Sequence, residues 1–460
     1  KIASVEINGS SAPGKTIFIN GELRIQDDFY DDPANATPDI NGMGLILKNC
    51  NIKFAENAGI NIEYGQLKLE NCTLQACSTF MWKGIYGPGQ GAKDHLKVEI
   101  TDCIIKDAIR SFDLKNDVPF SFSNNVFENN YSDVQLTNYF QTIPADVFIN
   151  NQFKATTLLT PYSGQQKFAA IELVNVKYIT IGEDVSGSEN EFSNSLYGLK
   201  SENSSFTLLN NLFSQIGDFT SSTIPGAGVS ASSAFDYSDR EIKIGNGTNV
   251  GENIFESSTN GVTIDGETHF YVKNNVFGNP NSYSDKIRDY CIKAENIGKM
   301  NLEISGINTF YDYKYGVWLF NSKPYKSFIV SNNDFYNFDV NIASTLNHEG
   351  TAITVLQPFL TTVPGAEISG NKIGRFNITQ TQPRNGIVVS MMKNIKVSQN
   401  TIKFKVSTIP PAFNYSGIWM QQCNYARIYD NEITNTPSNF PAGVGFSLIG
   451  VDMNDCNNTC

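Results

Sequence analysis

The sequence predicts an all-β chain wound as a right-handed parallel β-helix of about 14–17 coils, and three observations carry that prediction. An eight-residue pattern, apolar-x-apolar-x-x-[Asn/Cys]-x-[Phe/Ile/Leu], returns along the whole chain. Its copies stand at least 21 residues apart, a spacing that fits one coil, with the excess read as loop. A second element, Gly followed by Ile or Val and then strict alternation, precedes many of the copies. Composition agrees, with 31 Phe, 20 Tyr and only 17% charged residues. Such a mixture suits a folded, strand-rich chain and argues against disorder.

Clear copies of the pattern end at Ile52, Leu74, Ile105, Phe127, Phe213, Phe277, Phe335, Ile373, Ile402 and Ile433. Looser copies end at Phe153, Phe192, Phe255 and Phe310. Two residues before each anchor lies a structural ladder: Cys50, Cys72 and Cys103, then Asn125, Asn151, Asn190 and Asn211. It continues through Asn253, Asn275, Asn308, Asn333, Asn371, Asn400 and Asn431. Asn is expected here because it tolerates the left-handed backbone of a sharp corner and its amide bonds nearby backbone. Stacked Asn side chains can also bond from coil to coil. The three Cys are expected as small, buried, free thiols, because side chains stacked in parallel seldom reach disulfide geometry. Cys456 and Cys460 are close enough in sequence for a local bridge. Gaps of 38–42 residues between anchors each have room for one degenerate coil.

The Gly-Ile/Val element occurs at Gly59-Ile60, Gly261-Val262, Gly316-Val317, Gly386-Ile387 and Gly417-Ile418. Period-2 alternation makes it a strand with Ile or Val inward and the next residue outward. That outward position holds Tyr86, Trp318, Val388 and Trp419, which become candidates for a glycan- or partner-binding face. Leucine-rich repeats share the core pattern, but here Phe and Ile outnumber Leu at the anchors and no helical period follows. No linker divides the chain, so residues 1–460 are read as one domain, with 1–40 as an N-terminal cap and first coils. The start at Lys1 and the end at Cys460 read as cuts from a longer protein, whose C-terminal remainder is expected beyond.

A net charge of −12 and a pI near 4.9 disfavour nucleic acid as a partner, since phosphates need Lys and Arg. No apolar run of membrane-spanning length is present, so the chain is not expected to cross a bilayer.

Parallel β-helices often act on polysaccharides, and an enzyme of that kind would carry recognisable catalytic motifs. A polygalacturonase-like set of Asn-Thr-Asp, Asp-Asp, Gly-His-Gly and Arg-Ile-Lys is missing apart from Asp-Asp, and an Asp-Pro-His-Asp run is absent. Paired carboxylates facing across a cleft have no counterpart in the coils. A lyase needs a base and a charge neutraliser, often Ca²⁺. The densest candidates are Asp285, Lys286, Arg288 and Asp289, with Asp236–Arg240 and Asp94-His95 behind them; solvated ion pairs explain each as well. His95, His269 and His348 are isolated and lack metal-ligand spacing. Asp27, Asp28, Asp31 and Asp32 could hold Ca²⁺, although their loop lacks EF-hand spacing. No other cofactor is expected.

The segments Gly65–Gly87 (GQLKLENCTLQACSTFMWKGIYG) and Leu96–Ala108 (LKVEITDCIIKDA) resemble a known family. They are similar to the β-helix region of Bacteroidota surface proteins exported by the type 9 secretion system. The resemblance rests on an Asn-Cys-Thr-Leu…Cys…Met-Trp-x-Gly-Ile segment, here Asn71 to Ile85, and covers residues 40–130 well. It implies an extracellular or outer-surface location, the export machinery as a partner, and a sorting domain beyond Cys460. Three functions are therefore weighed: a non-catalytic adhesin or glycan-binding module, a polysaccharide lyase or hydrolase, and a phage tail-spike-like glycan binder. Missing catalytic motifs favour the first, and no continuous apolar outer stripe supports trimeric spikes.

Overall fold

A computed structural model describes residues 5–11, 16–25, 44–63, 65–87, 97–143, 148–217, 225–233, 240–248, 251–279, 287–298, 300–311, 313–321, 325–336, 351–374, 385–406, 414–437 and 447–457. They fall into two compact units, Lys1–Ser222 and Thr223–Cys460, each of which is described by itself.

Both units are built from the same coil, and the fold is a right-handed parallel β-helix. A motif strand leads to the corner, an anchor strand leaves it, and a glycine strand closes the turn. In the first unit one coil runs Gly44–Lys48, Asn51–Phe54, Gly59–Ile62. Each kind of strand pairs in parallel with its counterpart one coil on. Anchors therefore align as Ile52, Leu74, Ile105, Phe127, Phe153, Phe192 and Phe213 in the first unit. In the second they align as Phe255, Phe277, Phe310, Phe335, Ile373, Ile402 and Ile433. Among the described residues the only helical piece is the 3₁₀ turn Gly9–Ser11, which removes the leucine-rich reading.

One further coil lacks the eight-residue pattern. Thr16–Ile19 is an anchor strand, with Ile17 paired to Ile52. Two expected hidden coils are absent, because Phe153 pairs directly with Phe192 and Phe335 with Ile373. Those gaps hold long glycine strands instead, Lys167–Ile181 and Thr351–Thr362.

From Ile52 to Ile402 the anchors are fully buried, while Ile17 and Ile433 are half-buried, and the Phe rings stack at the inter-strand spacing. Phe127–Phe153, Phe153–Phe192 and Phe192–Phe213 are 4.8, 4.9 and 4.6 Å apart. Phe277–Phe310 and Phe310–Phe335 repeat this at 5.0 and 4.4 Å. The glycine of the glycine strand follows from this stack. A Cβ on Gly316 would lie 2.5 Å from the Ala352 carbonyl oxygen and 2.9 Å from the Phe335 ring. One on Gly417 would lie 2.7 Å from the Gly450 carbonyl oxygen and 2.8 Å from Ile433. The residue is small because main chain and anchor crowd it.

The corner divides its work between two residues, where the sequence had suggested one. The left-handed backbone belongs to the residue before the ladder, with φ of 52° at Asn49, 58° at Asn124, 56° at Asn274 and 56° at Asn332. The ladder Asn itself points inward and carries the hydrogen bonds. Asn151 donates from Nδ2 to the Phe122 carbonyl at 2.9 Å and to Asn190 Oδ1 at 3.1 Å. Its own Oδ1 accepts from the main-chain N–H and the Nδ2 of Asn125, both at 3.1 Å. Asn308 repeats the arrangement between Asn275 and Asn333. A buried amide with every bond made is stabilising, whereas one left open costs about 1–3 kcal/mol. The three Cys are free thiols, and their sulfurs take the ladder position as acceptors. Cys72 Sγ accepts from the Cys50 N–H at 3.4 Å, and Cys103 Sγ from the Cys72 N–H at 3.3 Å. They are hydrogen-bonding members of the ladder as well as apolar filler. Cys456 is a free thiol and so is not in the expected local bridge; Cys460 lies outside the described residues.

Candidate functional site

Residues alternate in and out along the glycine strands, so parallel pairing lines up the outward ones in a column. In the first unit that column is Arg24, Asn61, Tyr86, Asp113, Gln135, Glu172 and Lys200. Asn61, Tyr86 and Asp113 line a cleft of about 600 Å³, together with Glu63, Lys83, Arg110 and Lys115. The strands Gly59–Ile62, Gly84–Tyr86 and Arg110–Lys115 position all of them but Glu63 and Lys83, which flank those strands.

The cleft is a network of shared charges. Arg110 reaches Asp113 at 3.5 Å and Glu172 at 3.8 Å, while Lys115 reaches the same Asp113 at 3.4 Å. Lys83 Nζ sits 4.0 Å from the centre of the Tyr86 ring. Tyr86 donates its phenol proton to Glu22, which also pairs with Arg24. Burial and this carboxylate hold the Tyr86 phenol above its ordinary range, so it is a hydrogen-bond donor at neutral pH and not a base. The same bond, with help from Arg24, holds Glu22 below the usual carboxylate range. Arg110 Nε and Asp113 Oδ1 are shielded and lack hydrogen-bond partners in the protein.

In the second unit the matching column is Ser230, Thr263, Lys293, Trp318, Thr354, Val388, Trp419 and Asp452. Trp318 and Trp419 do share one column, as the repeat implied. Between them, however, Thr354 and Val388 are each 1% exposed. Val388 therefore drops out of an exposed face, and the two half-buried Trp do not form one continuous strip. Trp318 stands edge-on to Tyr290 and Tyr315, at 5.9 and 5.3 Å between ring centres.

Of the lyase candidates, Asp285 and Lys286 lie outside the described residues. Arg288 is exposed, and Asp289 pairs with Lys314 at 3.7 Å beside the Tyr290–Tyr315 stack. Asp289 thus neighbours Trp318's aromatic cluster, a juxtaposition the sequence did not suggest. His269 accepts a hydrogen bond from the Asn301 N–H at 3.2 Å, a structural role. Asp27, Asp28, Asp31, Asp32, Asp94, His95, Asp236, Asp239 and His348 lie outside the described residues. No group of three or more His, Cys, Asp or Glu able to hold a metal occurs among the described residues. No helix among them is long and apolar enough to cross a membrane. Sequence reasoning found Tyr86 but missed its partners Lys83, Arg110, Asp113 and Lys115. Their signal was available: each is the outward residue of a glycine strand or lies within three residues of one.

No family model matches the chain, and no curated protein matches it. Among solved structures it is similar to the crystal structure of the periplasmic alginate epimerase AlgG. The TM-score is 0.26 at 9% identity, over 95% of this chain and 85% of that one. A single and a double mutant of that epimerase give 0.25 and 0.26. Likeness at this level carries no argument about activity.

Proposed function

We propose that this chain is a non-catalytic, extracellular β-helix of the outer cell surface that binds an acidic glycan in the Tyr86 cleft. The carrying observation is that Lys83, Arg110 and Lys115 outnumber the carboxylates Glu63 and Asp113 around one tyrosine, on a chain whose net charge is −12. Cations gathered on an otherwise acidic molecule select a carboxylated or sulfated ligand and steer it locally. The half-buried ring of Tyr86 offers an apolar surface for a sugar face, and Lys83 can move from that ring to a ligand carboxylate, since exposed cation–π contacts are worth only about 0.5–1 kcal/mol. A protonated phenol and ion-paired carboxylates favour holding a ligand over removing its protons.

Export by a type 9 secretion system, and an adhesive role on a Bacteroidota surface, belong to the same proposal. They are supported by the Asn71–Ile85 and Leu96–Ala108 resemblance.

A glycan array probed with the wild-type chain is expected to show binding to uronate-, sialate- or sulfate-bearing glycans above neutral ones. Preference for neutral glycans would contradict the acidic-ligand reading. Incubation with acidic polysaccharides is expected to leave ultraviolet absorbance flat; a rise from unsaturated sugars would replace the non-catalytic reading with a lyase.

A further inference from the structure

The residue just before the first inward apolar side chain of each glycine strand is small almost everywhere. In the first unit it is Gly59, Gly84, Ser111, Ala170 and Gly198, with register set by Ile60, Ile85, Phe112, Ile171 and Leu199. Two residues depart from this: Glu22, before Leu23, which is exposed, and Asp133, before Val134, which is fully buried. At Asp133 a buried carboxylate stands where the other buried members of the column are glycine, alanine or serine.

Its partner is Lys167, at the start of the strand Lys167–Ile181. Lys167 Nζ and Asp133 Oδ2 are in direct contact, and both side chains are 0% exposed. The contact does not have the angular geometry of a hydrogen bond, because neither atom has a hydrogen-bond partner. Oδ1 is engaged separately: Asn130, itself fully buried, donates to it from Nδ2 at 2.9 Å. The Phe153 ring centre lies 5.9 Å from Nζ, so the amine lies near the apolar anchor stack. An ion pair sealed away from water must offset a desolvation penalty of several kcal/mol per charge, and does so only with good hydrogen-bond geometry. This pair lacks that geometry.

We propose that Lys167 and Asp133 are joined by an intramolecular isopeptide bond between the Lys167 ε-amine and the Asp133 γ-carboxyl. The geometry provides an amine against a carboxyl, exclusion of water, and a donor on the oxygen that stays. The step starts from the pair with one proton moved from amine to carboxyl, –NH₂ and –COOH, with no change in total protons. Burial acts in that direction on both groups, raising Asp133 to about 6 and lowering Lys167. Nζ attacks Cγ while the Asn130 N–H polarises the Cγ–Oδ1 bond. A C–N bond forms, the Cγ–Oδ2 bond breaks, and Oδ2 leaves as water carrying its own proton and one from the amine. No oxidant or other reactant is needed. The product is a neutral amide tying one coil of the first unit to the next. It stands independently of the glycan reading.

Intact-mass measurement of the purified, folded chain tests this directly. The expected mass is one water below that calculated from the sequence. Trypsin is expected to leave Lys167 uncut and to release Asn116–Lys154 joined to Ala155–Lys177 as one branched peptide. Lys167→Met is expected to restore the full mass. A wild-type chain at full mass, with a separate peptide ending at Lys167, would overturn the proposal. So would a water loss that persists in Lys167→Met, which would place the dehydration elsewhere.

Discussion

The outward columns of the two units occupy the same position of the same coil, yet they carry different chemistry. In the first, Arg24, Asn61, Tyr86, Asp113 and Glu172 form a charged, hydrogen-bonded row beside an open cleft. In the second, Trp318 packs against Tyr290 and Tyr315, and the following positions Thr354 and Val388 are buried. Inside, the units match: both stack Phe rings at about 4.4–5.0 Å and both run an Asn ladder. The difference teaches where function can live in a solenoid. The interior positions are tied to their counterparts one coil away, whereas the outward residue is free of that constraint.

The shared interior can be broken from either side. Phe153→Ala in the first unit and Phe310→Ala in the second are each expected to cost about 3–5 kcal/mol in urea unfolding, as for other buried aromatics. A loss in one unit and none in the other would end the claim of a common core. Asn151→Ala and Asn308→Ala are expected to cost less, about 1–3 kcal/mol each, because each strands ladder donors and acceptors.

The exterior difference gives smaller effects with another readout. Arg110→Ala is expected to weaken acidic-glycan binding about tenfold at low salt, or about 1.4 kcal/mol. The deficit should shrink as salt is added and screens the remaining charges. The smallest effect concerns Glu22. Its pKa is depressed in the folded state, so the stability it lends is present above the ordinary carboxylate pKa and lost as pH falls through the depressed value. Carbon-13 titration of the Glu22 carboxyl is expected to show that depression, and Tyr86→Phe to relax it towards the ordinary range.

Much of the fold was legible because the interior repeats. Fourteen anchors and the ladder could be read from spacing alone, since each must meet an identical neighbour. The Ile17 coil escaped because its corner does not carry the eight-residue pattern. The left-handed residue was misplaced by one, as Asn49-Cys50 and Asn124-Asn125 put two corner-competent residues side by side. The site was harder. Tyr86 followed from alternation, but Arg110 and Lys115 reach the cleft from one coil on, at a distance set by the intervening loop. Val388 shows the converse, an outward position in register that is nonetheless buried. Asp133 was visible in principle, as a charge in a column of small residues. Lys167 could not be paired with it before the strand register was known.

The central claim is that the charged column, and not the aromatic one, holds the ligand. Isothermal calorimetry with one acidic oligosaccharide, chosen from the array, compares Tyr86→Ala with the Trp318→Ala/Trp419→Ala double variant. Tyr86→Ala is expected to bind at least about tenfold more weakly, and the double variant to bind like wild type. Wild-type affinity in Tyr86→Ala, with binding lost in the Trp double variant, would contradict the account.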